Sequence, residues 1–200
     1  MSFSLKLNIP SSLNMKFPSP IQSPTLCINF EDDSDFDESE SSLCDEIVEN
    51  PEYCDKQGPA RINEYIYLGS EAHASDFDVL RENGIGFVLN VASCCKNYFE
   101  GGELVYKNLP VLDVCETNIS EIFNEAFDFI ETVKQRNGKV LIHCQAGVSR
   151  SVTITTAYLM KTEKISMNDA LKKVKETRKC AAPNFGFMVK LMEYEDGLSI

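Results

Sequence analysis

The stretch from Lys139 to Met160 constrains this chain more than any other. Val140 to His143 form a short, almost wholly apolar run that leads straight into Cys144. Such a run, without polar alternation, predicts a strand buried on both faces, the pattern of an inner strand in a parallel sheet. Five small or short residues follow, with Gly147 in the middle, and the spacing then predicts a helix from about Ser149 to Met160. Parallel strands cannot be joined by hairpins, so this one segment already asks for helices between strands.

The remainder of the sequence supplies them. Ile62 to Leu68, closed by Gly69, reads as a strand, and a short helix is expected over residues 76–82 before the Asn83-Gly84 stop. Phe87 to Val91 and Leu104 to Leu109 read as further strands, the second closed by Pro110. Ile119, Ile122, Phe123, Ala126, Phe127, Ile130 and Val133 recur at spacings of three and four, which predicts an amphipathic helix ending at Asn137-Gly138. Ser166 and Asp169 form a capping box for a helix to about Lys179, and a last helix is expected after Pro183. The expected fold class is α/β: a central, mostly parallel (mixed) sheet flanked by helices.

Two hundred residues, 43% of them hydrophobic, suffice for one domain with a substantial core. The net charge of -12 argues against nucleic acid or an anionic membrane as partner. That charge is concentrated: residues 31–52 carry -11 with no Lys or Arg. With Pro10, Pro18, Pro20 and Pro24 ahead of this acidic run, residues 1–57 are expected to be a disordered regulatory tail, and residues 58–200 the folded domain. Removing the tail is accordingly expected to leave the fold and the intrinsic rate unchanged. Ser19 and Ser23 fit proline-directed kinases, and Ser34 and Ser42 acid-directed ones. There are eight cysteines, but no signal-peptide pattern and no eighteen-residue apolar stretch, so reduced thiols in the cytoplasm or nucleus are expected. Two histidines and no paired Cys-x-x-Cys motifs leave no basis for a metal site.

The chemistry expected of the central segment follows from its shape. A tight loop between strand end and helix start can turn its backbone N–H groups inward, and such a nest backed by a helix N-terminus binds a tetrahedral dianion. Gly147 can take the left-handed conformation that the curl requires. Arg150 supplies paired donors to two phosphate oxygens. The same surroundings favour a thiolate at Cys144, the form in which cysteine is a nucleophile. A Cys followed six residues later by Arg is weak on its own; the strand before, the glycine within and the helix after make it specific.

His143 to Ser151 resembles the signature loop of the protein tyrosine phosphatase superfamily. The Gln145, Ala146, Gly147, Val148, Ser149 filling is similar to the MAP-kinase-phosphatase branch of the dual-specificity phosphatases. The likeness extends through residues 65–70, 89–91, 123–130, 157–160 and 183–185, about 60–198 in all. It implies a phosphatase with Cys144 as nucleophile, Arg150 and the backbone of residues 145–149 as phosphate binders, and Asp113, in the loop after Leu109-Pro110, as general acid and later general base. It also implies that Ser151 assists the departing thiolate, that His143 orients the loop and that Asn184 braces it. No cofactor is implied. The substrate class implied is a phosphorylated protein, a MAP kinase in particular, with both phosphotyrosine and phosphothreonine accepted because no segment remains to deepen the pocket. Residues 145–149 carry no lysine of the kind that meets the extra phosphates of inositol lipids. The other reading, a phosphoprotein-binding module with little turnover, would fit a chain that had lost Cys144, Arg150 or Asp113. Departures from the family pattern are Val114, Lys179, Ala182 and the Cys94-Cys95 pair. Cys94, Cys95, Cys115 and Cys180 are expected to be core or surface thiols, one of which could trap oxidised Cys144. Phe185 and Phe187 faintly resemble a docking element of this branch but read first as core.

Overall fold

The computed structural model describes residues 50–198. The four candidate phosphorylation sites and most of the acidic run lie outside the described residues.

Five strands form one sheet in the order β1-β2-β5-β3-β4. β2 (Ile66–Gly69), β5 (Val140–His143), β3 (Phe87–Ala92) and β4 (Val105–Val111) run parallel, and β1 (Ala60–Arg61) is antiparallel to β2. β5 lies at the centre, with Val140 opposite Ile66 on one side and Phe87 on the other. Period-two alternation then sorts the side chains into two layers. Ile66, Leu68, Leu89, Val91, Val140 and Ile142 face the larger core beneath α4 (Phe123–Gln135), α5 (Arg150–Glu163), α6 (Met167–Thr177) and α7 (Phe185–Gly197). Tyr67 and Leu141 face a smaller cluster with Ala74 of α2 (Glu71–Ala74), Leu80 of α3 (Phe77–Glu82) and Ile85. α5 is buried from Arg150 through Met160, so it crosses the interior rather than lying on it. Its Thr153 and Thr155 hydroxyls are satisfied by donating to the carbonyls of Ser149 and Ser151, both at 2.8 Å. The fold is therefore the expected α/β sandwich.

Several boundaries differ from the sequence expectation, each for a local reason. The expected strand over 62–68 is broken by Asn63, whose Oδ1 accepts from the N–H of Tyr65 (3.0 Å) and Ile66 (2.8 Å). This side-chain turn folds β1 back onto β2. β4 does not stop at Pro110 but continues to Val111; as the outermost strand it can carry a residue without an N–H. The amphipathic segment begins with a 3-10 turn, Ile119–Ile122, before α4. The segment expected to be disordered through residue 57 contains a helix, α1 (Pro51–Lys56). Asn50 caps it by accepting from the N–H of Glu52 at 2.9 Å, Pro51 takes the first-turn position that suits proline, and Cys54 is buried. Order therefore begins ahead of the boundary expected at residue 58. Among the described residues no helix is long and apolar enough to cross a membrane.

Candidate active site

β5 ends at His143 and delivers Cys144, 1% exposed, to the C-terminal edge of the sheet. The loop 145–149 then curls to Arg150, the first residue of α5. Its carbonyls are all occupied. Gln145 O accepts from the N–H of Glu71 (2.9 Å), Ala146 O from Arg178 Nη2 (2.9 Å), Gly147 O from Arg178 Nε (2.6 Å), Val148 O from the N–H of Ala182 (2.9 Å) and Ser149 O from the N–H of Thr153 (2.9 Å). Across a planar trans peptide the C=O and the following N–H point in opposite directions. Five outward carbonyls thus turn the N–H groups of Ala146, Gly147, Val148, Ser149 and Arg150 the other way, and none of them has an acceptor among the described residues. Gly147 has φ +65°, and a Cβ there would stand 2.4 Å from the carbonyl oxygen of Gly69, so glycine is required twice over.

The remaining expected residues gather on this loop. Cys144 Sγ lies 3.3 Å from Ser151 Oγ. Asp113 reaches in from the loop after β4: its Oδ1 accepts from Ser149 Oγ and Asn184 Nδ2, each at 2.8 Å, and its Oδ2 from Arg150 Nε at 3.2 Å. Arg150 also donates from Nη1 to Val111 O at 3.2 Å. Asn184 has three tasks: its N–H meets Ser149 Oγ at 3.1 Å, its Nδ2 holds Asp113, and its Oδ1 caps α7 through the N–H of Phe187 at 2.9 Å. His143 is fully buried, with Nδ1 3.3 Å from Cys144 O and Nε2 without a partner among the described residues. Burial lowers its pKa to about 4, so it is neutral throughout the physiological range.

Arg178, which bonds the loop, and its partner Asp55 were not expected from the sequence. Arg178, 2% exposed, donates to two loop carbonyls from beyond the end of α6, and Asp55 of α1 accepts from its Nη2 at 2.9 Å. α6 stops at Thr177 rather than Lys179, with Arg178 already in extended backbone. Neither residue carries a sequence signal, because their partners lie 31 and 123 positions away. The other described thiols lie away from Cys144. Cys94 and Cys95 have sulfurs 3.9 Å apart, Cys115 is exposed, and Cys54 and Cys180 are buried, burial pushing the Cys180 thiol up to about 12. None of them hydrogen-bonds Cys144 among the described residues. There, too, no group of three or more His, Cys, Asp or Glu is placed to hold a metal ion.

Residues 66–197 match the family model described as dual specificity phosphatase, catalytic domain. This chain belongs to the dual specificity phosphatase family. Over 141 residues, 70% of its length, it is 47% identical to dual specificity protein phosphatase 1-A of Xenopus laevis, covering 38% of that protein. Over the same length it is 46% identical to human dual specificity protein phosphatase 2, covering 45% of it. The chain thus spans less than half of these relatives. Human DUSP28 superposes with a TM-score of 0.67 at 27% identity, over 71% of this chain and 95% of that one. The dual specificity phosphatase match begins at residue 66, so α1 and β1 stand outside it.

Proposed function

We propose that the chain is a protein phosphatase that hydrolyses phosphotyrosine, phosphothreonine and phosphoserine through a phosphocysteine intermediate on Cys144. The observation that carries this reading is the set of inward N–H groups between Cys144 and Arg150. It is a nest for a dianion with a nucleophile at its base and a cation at its rim. The phosphate enters, its oxygens take the N–H groups, and Arg150 turns its guanidinium from Asp113 to them. Cys144 attacks as the thiolate: the S–P bond forms and the ester P–O bond breaks. Asp113 gives its proton to the leaving oxygen. Water then attacks the phosphocysteine, Asp113 takes up the proton released, and the S–P bond breaks to return inorganic phosphate and the thiolate. Ser151 donates its hydroxyl to that thiolate, and Asn184 keeps Asp113 beside the loop. His143, neutral and buried, takes no proton in this scheme and supports the loop from below.

The rim of the site is low. Leu112 (60% exposed), Val114 (45%) and Phe185 (78%) stand exposed near Asp113 among the described residues, which favours access by short phosphothreonine as well as long phosphotyrosine. A phosphorylated MAP kinase is the proposed substrate, on the strength of the likeness of residues 145–149 to that branch, and the cytoplasm or nucleus the proposed site of action. Phosphosite-resolved mass spectrometry of a doubly phosphorylated Thr-x-Tyr peptide, with Cys144→Ser as the blank, tests both activity and specificity. Loss of both phosphates is expected. Removal of the tyrosine phosphate alone, at long times and high enzyme concentration, would refute dual specificity, and equal loss with Cys144→Ser would refute the mechanism.

A further inference from the structure

We infer that Asp55, on a helix outside the family match, is a positioning residue for the phosphate loop and acts through Arg178. The inference rests on the phosphatase reading above and adds to it a part that neither the loop sequence nor the family match contains. Arg178 lies at the centre. Its side chain is 1% exposed, its Nε and Nη2 hold Gly147 O and Ala146 O, and the same Nη2 donates to Asp55 Oδ1 at 2.9 Å. A guanidinium so deeply buried is costly to leave without an acceptor beside it. Asp55 is the carboxylate that salt-bridges it among the described residues. Asp55 also reaches the loop by a second route. Its backbone carbonyl lies 3.1 Å from His73 Nε2, while His73 Nδ1 accepts from the N–H of Ser70 at 3.0 Å. Ser70 opens α2, and the next residue, Glu71, donates its N–H to Gln145 O. Three consecutive loop carbonyls, those of Gln145, Ala146 and Gly147, are therefore held by groups that converge on Asp55.

Geometry and charge make opposite forecasts, which is what makes the idea testable. Taken only as a charge, Asp55 repels phosphate, and its removal would tighten phosphate binding. Taken as a positioning residue, its removal lets Arg178 leave the carbonyls, the peptides swing, and the N–H groups lose their aim. The experiment is titration of the full chain with inorganic phosphate by calorimetry, in a Cys144→Ser background so that the result does not depend on turnover. Asp55→Ala is expected to raise the Kd for phosphate about tenfold and, with Cys144 restored, to lower kcat/KM on an aryl phosphate by a similar factor. Asp55→Asn, which keeps an oxygen for Arg178, is expected to recover most of that affinity. In an Arg178→Gln background the same Asp55→Ala change is expected to have little further effect. A lower melting temperature with a phosphate Kd unchanged or tightened would overturn the inference and leave Asp55 as an anchor for α1 only. If the wild-type chain binds phosphate but turns over no aryl phosphate, the phosphatase reading fails while the titration still decides the role of Asp55. No phosphate binding by the wild-type chain would overturn both.

Discussion

The phosphate loop and the acid loop meet at Asp113, yet they are built in opposite ways. Residues 145–149 carry no charged side chain, and their five carbonyls are all bonded to groups on α2, α5 and the segment between α6 and α7. Residues 112–116 are all exposed, and the only backbone bond they make among the described residues is the turn from Thr117 N–H to Val114 O, at 3.1 Å. What holds the acid loop in place is chiefly the Asp113 carboxylate itself, through Ser149, Arg150 and Asn184. Gly186 adds close packing, since a Cβ there would stand 2.0 Å from Cys115 O. The contrast follows from the chemistry proposed for each. A site for a dianion gains by having its dipoles fixed before the ligand arrives. An acid that must leave an arginine, reach a leaving group and later meet water gains by being loosely held.

Breaking the rigid half should have the largest effect. Gly147→Ala forces a left-handed alanine against the Gly69 carbonyl and Arg178, at a cost of about 4 kcal/mol in stability. Denaturant unfolding with a parallel phosphate titration should show both stability and phosphate affinity falling; a variant as stable as wild type would mean that the loop is not fixed as described. The loose half predicts the reverse pattern. Asp113→Ala should slow phosphoprotein turnover by about a hundredfold or more, while lowering the melting temperature less than Gly147→Ala does. The loss should be far smaller on an aryl phosphate with an acidic phenol, which needs little protonation to leave. Equal losses on the two substrates would assign the acid elsewhere. The smallest effect concerns the strand beneath the rigid loop. His143 titrates at about 4 when folded against 6.5 when unfolded, so its contribution to stability is fully present above pH 6.5 and is lost as pH falls towards 4. Between pH 6.5 and 5 that amounts to about 2 kcal/mol. His143→Asn removes this dependence, so the stability gap between wild type and variant should change by that amount over the window. A constant gap would show that His143 is not held neutral.

The two loops also differed in how far they could be read beforehand. Cys144, Gly147 and Arg150 occupy one continuous strand–loop–helix segment, where apolar run, small residues and helix start are all local signals. Asp113 and Asn184 carried no such pattern and were reached through resemblance alone. α1 went unread for a different reason. Its six residues overlap the end of the acidic run, and a helix so short is ordered by what it packs against rather than by its own propensity. The expectation that residues 1–57 are dispensable has a structural argument against it at residues 51–57, which contain Cys54 of the interior and the carboxylate that meets Arg178.

By itself the sequence determined the strand–loop–helix segment from Val140 to Met160 and the kind of scaffold around it, because side-chain periodicity and the conformational demands of glycine act over a few residues. Only the tertiary structure decided how the loop is held open. The bonds from Arg178 to Ala146, Gly147 and Asp55 and from Arg150 to Asp113 join positions 31 to 123 residues apart. Whether a buried charge finds its partner depends on the order of the strands and the ends of the helices, and no short stretch of sequence records that.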